Sequence, residues 1–120
     1  MSRLDDLRVA EAADLLEDDI FELVKRFPTG KRFGITEQLC SAAHSVASNI
    51  AEAIGRPSLP DRIRVFGIAM ADLRETECHL KSCWRRGFIK KVDYWRVSAR
   101  GAVIRKMLAA LIKDLEDRAA

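Results

Sequence analysis

A run of small residues constrains this chain more than any other feature. From Gln38 to Arg56 it reads Gln-Leu-Cys-Ser-Ala-Ala-His-Ser-Val-Ala-Ser-Asn-Ile-Ala-Glu-Ala-Ile-Gly-Arg. Leu39, Ala43, Val46, Ile50 and Ala53 recur at spacings of four and three, which places them on one face of a helix. Ala42, Ser45, Ala47, Ser48 and Ala51 sit around that face and are all small. A helix with so little bulk lets neighbouring backbones approach closely, which predicts a central place in a helix bundle. Asn49 lies beside the apolar seam and is expected to be buried. Its amide then needs hydrogen-bond partners and selects one packing arrangement.

Three more helices follow from the same kind of pattern. The first is expected from about Leu4 to Arg26, with Ala13, Leu16, Ile20, Leu23 and Phe27 as its seam. Phe21 and Val24 widen that stripe and Leu15 faces away from it, more apolar surface than one bundle contact needs. This predicts a second contact surface, and hence an oligomer. Pro28 and Gly30 break the helix, and Lys25, Arg26, Lys31 and Arg32 make its connection basic. Thr36 is the expected N-cap of the second helix, which ends near Ile54 before Gly55 and Pro57. Ser58-Leu-Pro-Asp61 reads as a cap for the third. That helix is expected from Leu59 to Arg86, on the order of 40 Å long. Its seam is Leu59, Ile63, Phe66, Met70, Leu73, Glu77, Leu80 and Trp84, with Glu77 partly buried. Gly87 is the expected C-cap residue, having no Cβ to oppose a left-handed turn. The fourth helix is expected from Val92 to Asp117, on a seam of Tyr94, Val97, Gly101, Ile104, Leu108, Leu111 and Leu115. Short connections make successive helices antiparallel. The expected fold is therefore all-α, a single-domain, up-down-up-down four-helix bundle.

With Phe27-Pro28 ahead of it and Ser58 behind it, the Gln38–Arg56 run resembles the motif of the 23S rRNA intervening-sequence proteins. Gln38, Leu39, Ser45, Asn49, Ile50, Ala51, Glu52, Gly55 and Arg56 match that pattern, and Leu73-x-Glu75-x-Glu77-x-x-Leu80 resembles the next helix. The likeness spans about residues 20 to 112. Cys40-Ser41 stands where the family usually has two arginines, Ala47 where it has proline, and Ala53 where it has glycine. The chain is similar as well to the accessory variability determinants of diversity-generating retroelements. These resemblances imply a four-helix bundle assembled as a ring, with a homopentamer favoured. They also imply a non-catalytic association with nucleic acid, either ribosomal RNA or the RNA of a partner reverse transcriptase.

Charge is segregated along the chain. Residues 1–24 hold eight acids and two arginines, a balance of −6, and residues 25–120 hold ten acids and nineteen Lys or Arg, a balance of +9, which together give the net +3. Opposite charges on different helices suggest attraction between elements or between subunits. Lys81, Arg85, Arg86, Lys90 and Lys91 gather at the third connection, and Arg96 and Arg100 lie four apart on the fourth helix. Arg85, Arg86, Lys90, Lys91, Arg96 and Arg100 are the candidate nucleic-acid contacts, because clustered cations bind phosphate backbones without reading sequence. Trp84, Tyr94 and Trp95 lie close by; they could stack on bases, but their seam positions favour a place in the core. Glu52 and Arg56, four apart, are expected to pair with each other. With Asn49 and Glu77 they make up a structural motif rather than a reactive one.

Other chemistry finds little support. Cys40 with His44, and His79 with Cys83, could supply four zinc ligands. A hairpin turning near Pro57 would set residue 79 level with residue 35, too far along the axis for the two pairs to meet. His44, Ser45 and Glu52 share one helix and do not converge as a triad must. Glu75 and Glu77 diverge, and neither Gly30 nor Gly34 begins a phosphate loop. The expectation is no enzyme, no metal and no cofactor. Three cysteines without a Cys-x-x-Cys pair are expected to be reduced thiols. No apolar run approaches a membrane span and no leader-like segment opens the chain, so the expected location is the cytoplasm, with no membrane partner. Two classes of function remain: a nucleic-acid-associated oligomer, and a structural or adaptor oligomer that binds another protein without nucleic acid.

Overall fold

The computed structural model describes residues 3–28 and 34–120. Four helices follow one another: α1 Arg3–Val24, α2 Ile35–Ile54, α3 Leu59–Arg85 and α4 Lys91–Ala119. Each packs against two neighbours, α1 against α2 and α4, and α3 against α2 and α4. The body measures 50 × 23 × 19 Å, one helix long and two helices wide. Four polar contacts lie one at each helix–helix boundary. Glu17 meets His44 at 2.7 Å, the Asn49 amide donates to Asp72 at 2.6 Å, Arg105 bonds Glu77, and Arg100 bonds Asp19. Arg26 near the end of α1 also lies 3.4 Å from Asp93 at the start of α4. The two α1–α4 pairs run in opposite chain directions, and the short connections turn each successive helix back on the last, which gives the up-down-up-down arrangement expected from the sequence.

Every expected core residue of α1 and α2 is buried: Ala13, Leu16, Ile20, Leu23 and Phe27, then Leu39, Ala43, Val46, Ile50 and Ala53. The α4 seam from Val97 to Leu115 is buried as well, with Tyr94 partly so. On α3 the seam is rotated. Phe66, Leu73 and Leu80 are buried as expected, but the positions between them are Ala69, Thr76 and Cys83, and Ile63, Met70, Glu77 and Trp84 are only partly covered. Small residues take the centre because α3 lies against the small-residue face of α2, and the larger side chains spread to the flanks. Thr76 is accommodated in the core by donating its hydroxyl to the Asp72 carbonyl at 2.8 Å.

Caps explain most of the helix ends. The Ser58 hydroxyl accepts from the Asp61 amide at 3.2 Å, and proline occupies the first turn, as the sequence predicts. Arg62 donates to the carbonyls of Ile54 and Arg56 at 2.8 and 2.9 Å, closing the end of α2 with a side chain from α3. α3 ends in a Schellman turn. Gly87, at φ 80°, donates to the Trp84 carbonyl, and Phe88 donates to that of Cys83. The start of α2 departs from expectation. Gly34, also at φ 80°, makes the turn, Thr36 lies inside the first turn, and its buried hydroxyl has no partner among the described residues. Lys31 and Arg32 of the basic first connection lie outside the described residues.

Asn49 is half-buried rather than fully enclosed, because it reaches to the rim of the α2–α3 boundary to meet Asp72. Asn49→Leu removes that donor and should destabilise the fold by about 1.5–3 kcal/mol, the scale for a hydrogen bond to a charged group. Lys113→Ala, which removes only an exposed pair with Asp117, should change stability by less than about 0.5 kcal/mol. Gly67 is exposed in mid-α3, with nothing within 4 Å of where a Cβ would stand. Gly67→Ala should therefore stabilise by about 0.5–1 kcal/mol. Chemical denaturation of the three variants measures all of these differences.

Candidate nucleic-acid interface at one end of the bundle

Antiparallel packing brings the α1–α2 and α3–α4 connections to the same end. The rings of Phe27 and Phe88 meet there at 5.7 Å, and Arg26 reaches Asp93 across the same gap. This end therefore collects Lys25 and Arg26 from one connection, and Lys81, Arg85, Arg86, Lys90 and Lys91 from the other. All of these side chains except Lys25 and Arg26 belong to the α3–α4 cluster that the sequence singles out. The opposite end is mixed: Arg56 and Arg64 pair with Asp61, Arg62 bonds the end of α2, and Arg118 lies beside Asp114.

The six candidate contacts fall into two groups. Arg85, Arg86, Lys90 and Lys91 are exposed, and none forms an ion pair among the described residues; Arg86 bonds only the Ser82 side chain and carbonyl. Arg96 and Arg100 are already engaged. Arg100 bonds Asp19, while Arg96 lies 3.6 Å from Asp19 and 3.4 Å from Asp93. The acids that neutralise them belong to α1 of the same chain and to the first turn of α4. The sequence expectation of six equivalent cations thus narrows to four that have no ion pair among the described residues.

The nearby aromatic side chains divide in the same way. Trp84 and Tyr94 stack on each other, 4.3 Å between centroids and 11° between planes, and so satisfy one another across α3 and α4. Trp95 meets both edge-on and remains 54% exposed.

The structural motif residues have defined partners. Glu52 and Arg56 pair at 2.6 Å as expected, and Arg56 also approaches Asp61 at 3.7 Å. Glu77 is half-buried and held by Arg105, a partner with no signal in the sequence. Asp72 and Arg62 were equally illegible, since each works only through a neighbouring helix.

The cysteine and histidine pairs are placed differently from the sequence expectation. The contact of Asn49 with Asp72 shifts the α2–α3 register by about two turns, so His79 shares a groove with Ala42 and Ser45 rather than lying level with residue 35. The axial separation therefore does not keep the two pairs apart; the directions of the side chains do. His44 turns to Glu17 on α1, His79 lies 3.6 Å from Glu75, and Cys83 is buried. Among the described residues, no three His, Cys, Asp or Glu side chains converge to hold a metal ion. No described helix is long and apolar enough to cross a membrane.

An antiparallel four-helix bundle with one basic end and a polar clasp at each helix boundary is the class of protein that these features define. The chain belongs to the 23S rRNA-intervening sequence protein family, whose model matches residues 5–110. A solved protein of unknown function from the S23 ribosomal protein family of Bacteroides thetaiotaomicron shares the fold. It is 27% identical, with a TM-score of 0.85, over 91% of this chain and 98% of that one. Comparison with curated proteins finds no match.

The cysteines give this region a simple test. Burial pushes the Cys83 thiol up to about 11, against a smaller opposite pull from Arg86, and burial followed by the Glu17 charge raises Cys40. Both are held as neutral thiols near pH 8, whereas Cys78 is exposed. Alkylation of the native protein at pH 8 should modify Cys78 first, with Cys83 reacting only on unfolding or at strongly alkaline pH. Mass-spectrometric mapping of the labelled peptides reads this order.

Proposed function

We propose that this protein is a non-catalytic, oligomeric nucleic-acid-associated protein that holds a phosphate backbone against the basic end of its bundle. The carrying observation is a group of four exposed cations at one pole, Arg85, Arg86, Lys90 and Lys91, without an ion pair among the described residues. Such a cluster attracts phosphates by charge and counterion release, with no need to read bases. Membership of a family named for an insert in 23S rRNA favours RNA, and the expected resemblance to retroelement accessory proteins makes a reverse transcriptase the proposed protein companion. Repetition of the cluster around a homo-oligomer, with a pentamer favoured, would add avidity. The cytoplasm is the proposed setting for this activity.

A protein-only adaptor is the second reading, favoured by the exposed apolar side chains Val92, Trp95 and Val103 on α4.

Fluorescence-anisotropy titrations of a labelled single-stranded RNA at several salt concentrations test the first reading. Alanine at Arg85, Arg86, Lys90 and Lys91 together should weaken binding strongly. It should also flatten the slope of log affinity against log salt by about 0.7 for each phosphate no longer neutralised. Arg96→Ala should have a much smaller effect, because Asp19 and Asp93 already neutralise it. Absence of binding at low salt, or equal binding by the fourfold variant, would leave the adaptor reading in its place.

A further inference from the structure

The basic pole continues as a groove between the outer sides of α3 and α4. Glu77, Tyr94, Trp95, Ser98, Ala102 and Arg105 line it, around a volume of about 300 Å³. On the α3 bank Arg74, Lys81 and Arg85 recur at spacings of seven and four, on the side of Glu77 that turns away from the core. On the α4 bank Lys91 stands one turn before Trp95. All four cations are exposed, and none forms an ion pair among the described residues. Glu77, the acid on the groove floor, is held by Arg105, and Asp93 at the start of α4 turns to Arg26 and Arg96.

Trp95 rises from this groove in a fixed position. Its ring centroid lies 5.2 Å from that of Tyr94 and 5.9 Å from that of Trp84, at angles of 67° and 61°, and those two rings are 4.3 Å apart. The three distances set Trp95 beside the stacked pair rather than over either of its outer faces. The pair thus holds the indole, while 54% of the residue stays open to solvent. An indole so held has little freedom left to lose on binding, and its open surface suits a flat partner. The contacts of Trp84 with Tyr94 and of Glu77 with Arg105 fix the level of α3 against α4. At that level Trp95 stands across the groove from the stretch between Lys81 and Arg85, so cations flank it on both banks.

We infer that an unpaired nucleic-acid strand lies along this groove, its phosphates on Arg74, Lys81, Arg85 and Lys91 and one of its bases stacked on Trp95. Cations at the pole alone take any phosphate backbone. An open aromatic ring between cations adds selection for unpaired strands, because a paired base keeps its faces inside the duplex stack. Arg74 and Lys81 extend the site from the pole into the groove, roughly 16 Å along α3 from Arg74 to Arg85.

The strand type and its path rest on the nucleic-acid binding proposed above. Anisotropy titrations test them with three probes: a short unstructured RNA, the same RNA annealed to its complement, and an abasic strand of equal length. Circular dichroism confirms that each variant stays helical. Trp95→Ala should weaken binding of the unstructured RNA by roughly tenfold and leave the duplex and the abasic strand unchanged. Its salt slope should match that of the wild type, since no phosphate contact is lost. Trp95→Phe, which keeps a ring, should recover most of the affinity. Arg74→Ala and Lys81→Ala should each flatten the salt slope by about 0.7. Equal binding of the unstructured RNA by wild type and Trp95→Ala, or an equal loss on all three probes, would overturn the stacking and leave Trp95 to a protein contact. Unchanged slopes in both cation variants would overturn the path along the groove. No binding of any probe by the wild type at low salt would overturn the nucleic-acid reading as well.

Discussion

The salt link between Asp19 on α1 and Arg96 and Arg100 on α4 closes the bundle, and much else depends on it. α1 and α4 are the helices furthest apart in sequence, and no short connection joins them. Their contact must be made by side chains, at the largest cost in chain entropy of any helix pair. An acidic helix and a basic helix meet with the right preference, and Arg26 with Asp93 repeats the contact one end further on. Each such pair near the surface is worth little alone, typically under about 1 kcal/mol. The apolar seams supply the affinity, and the charges choose which helix lies beside which.

The same link decides which cations of the cluster are left without an ion pair among the described residues. Arg96 and Arg100 are used inside the chain, so the positive field of the molecule is concentrated at the α3–α4 connection and the neighbouring end of α1. The other three boundaries each have their own polar clasp: Glu17 with His44, Asn49 with Asp72, and Glu77 with Arg105. A bundle of near-equivalent apolar seams could slide by a turn at little cost in burial. A hydrogen bond at each boundary penalises that slip, because it would strand a half-buried polar group.

Family membership and the fold are secure for reasons that differ from those for function. The Gln38–Arg56 run, with its small residues and matched motif, specifies close packing around α2, and the structure uses it for that purpose. The proposed function rests instead on surface chemistry outside that motif, the four cations at one pole that have no ion pair among the described residues.

The sequence by itself determined the four helices, their order and most of their buried faces, because apolar spacing is a local property and each helix carries its own. It also determined the Ser58 cap and the Glu52–Arg56 pair, whose partners lie within one turn of each other. Tertiary structure alone decided the rotation of α3, since only the small-residue face of α2 makes Ala69, Thr76 and Cys83 the central positions. It decided the α2–α3 register, which the Asn49–Asp72 contact sets and the position of Pro57 could not. It chose Gly34 over Thr36 to begin α2, through a backbone turn with positive φ. It also divided the basic residues into paired and unpaired sets, because whether an arginine meets a carboxylate depends on which helix lies beside it in space.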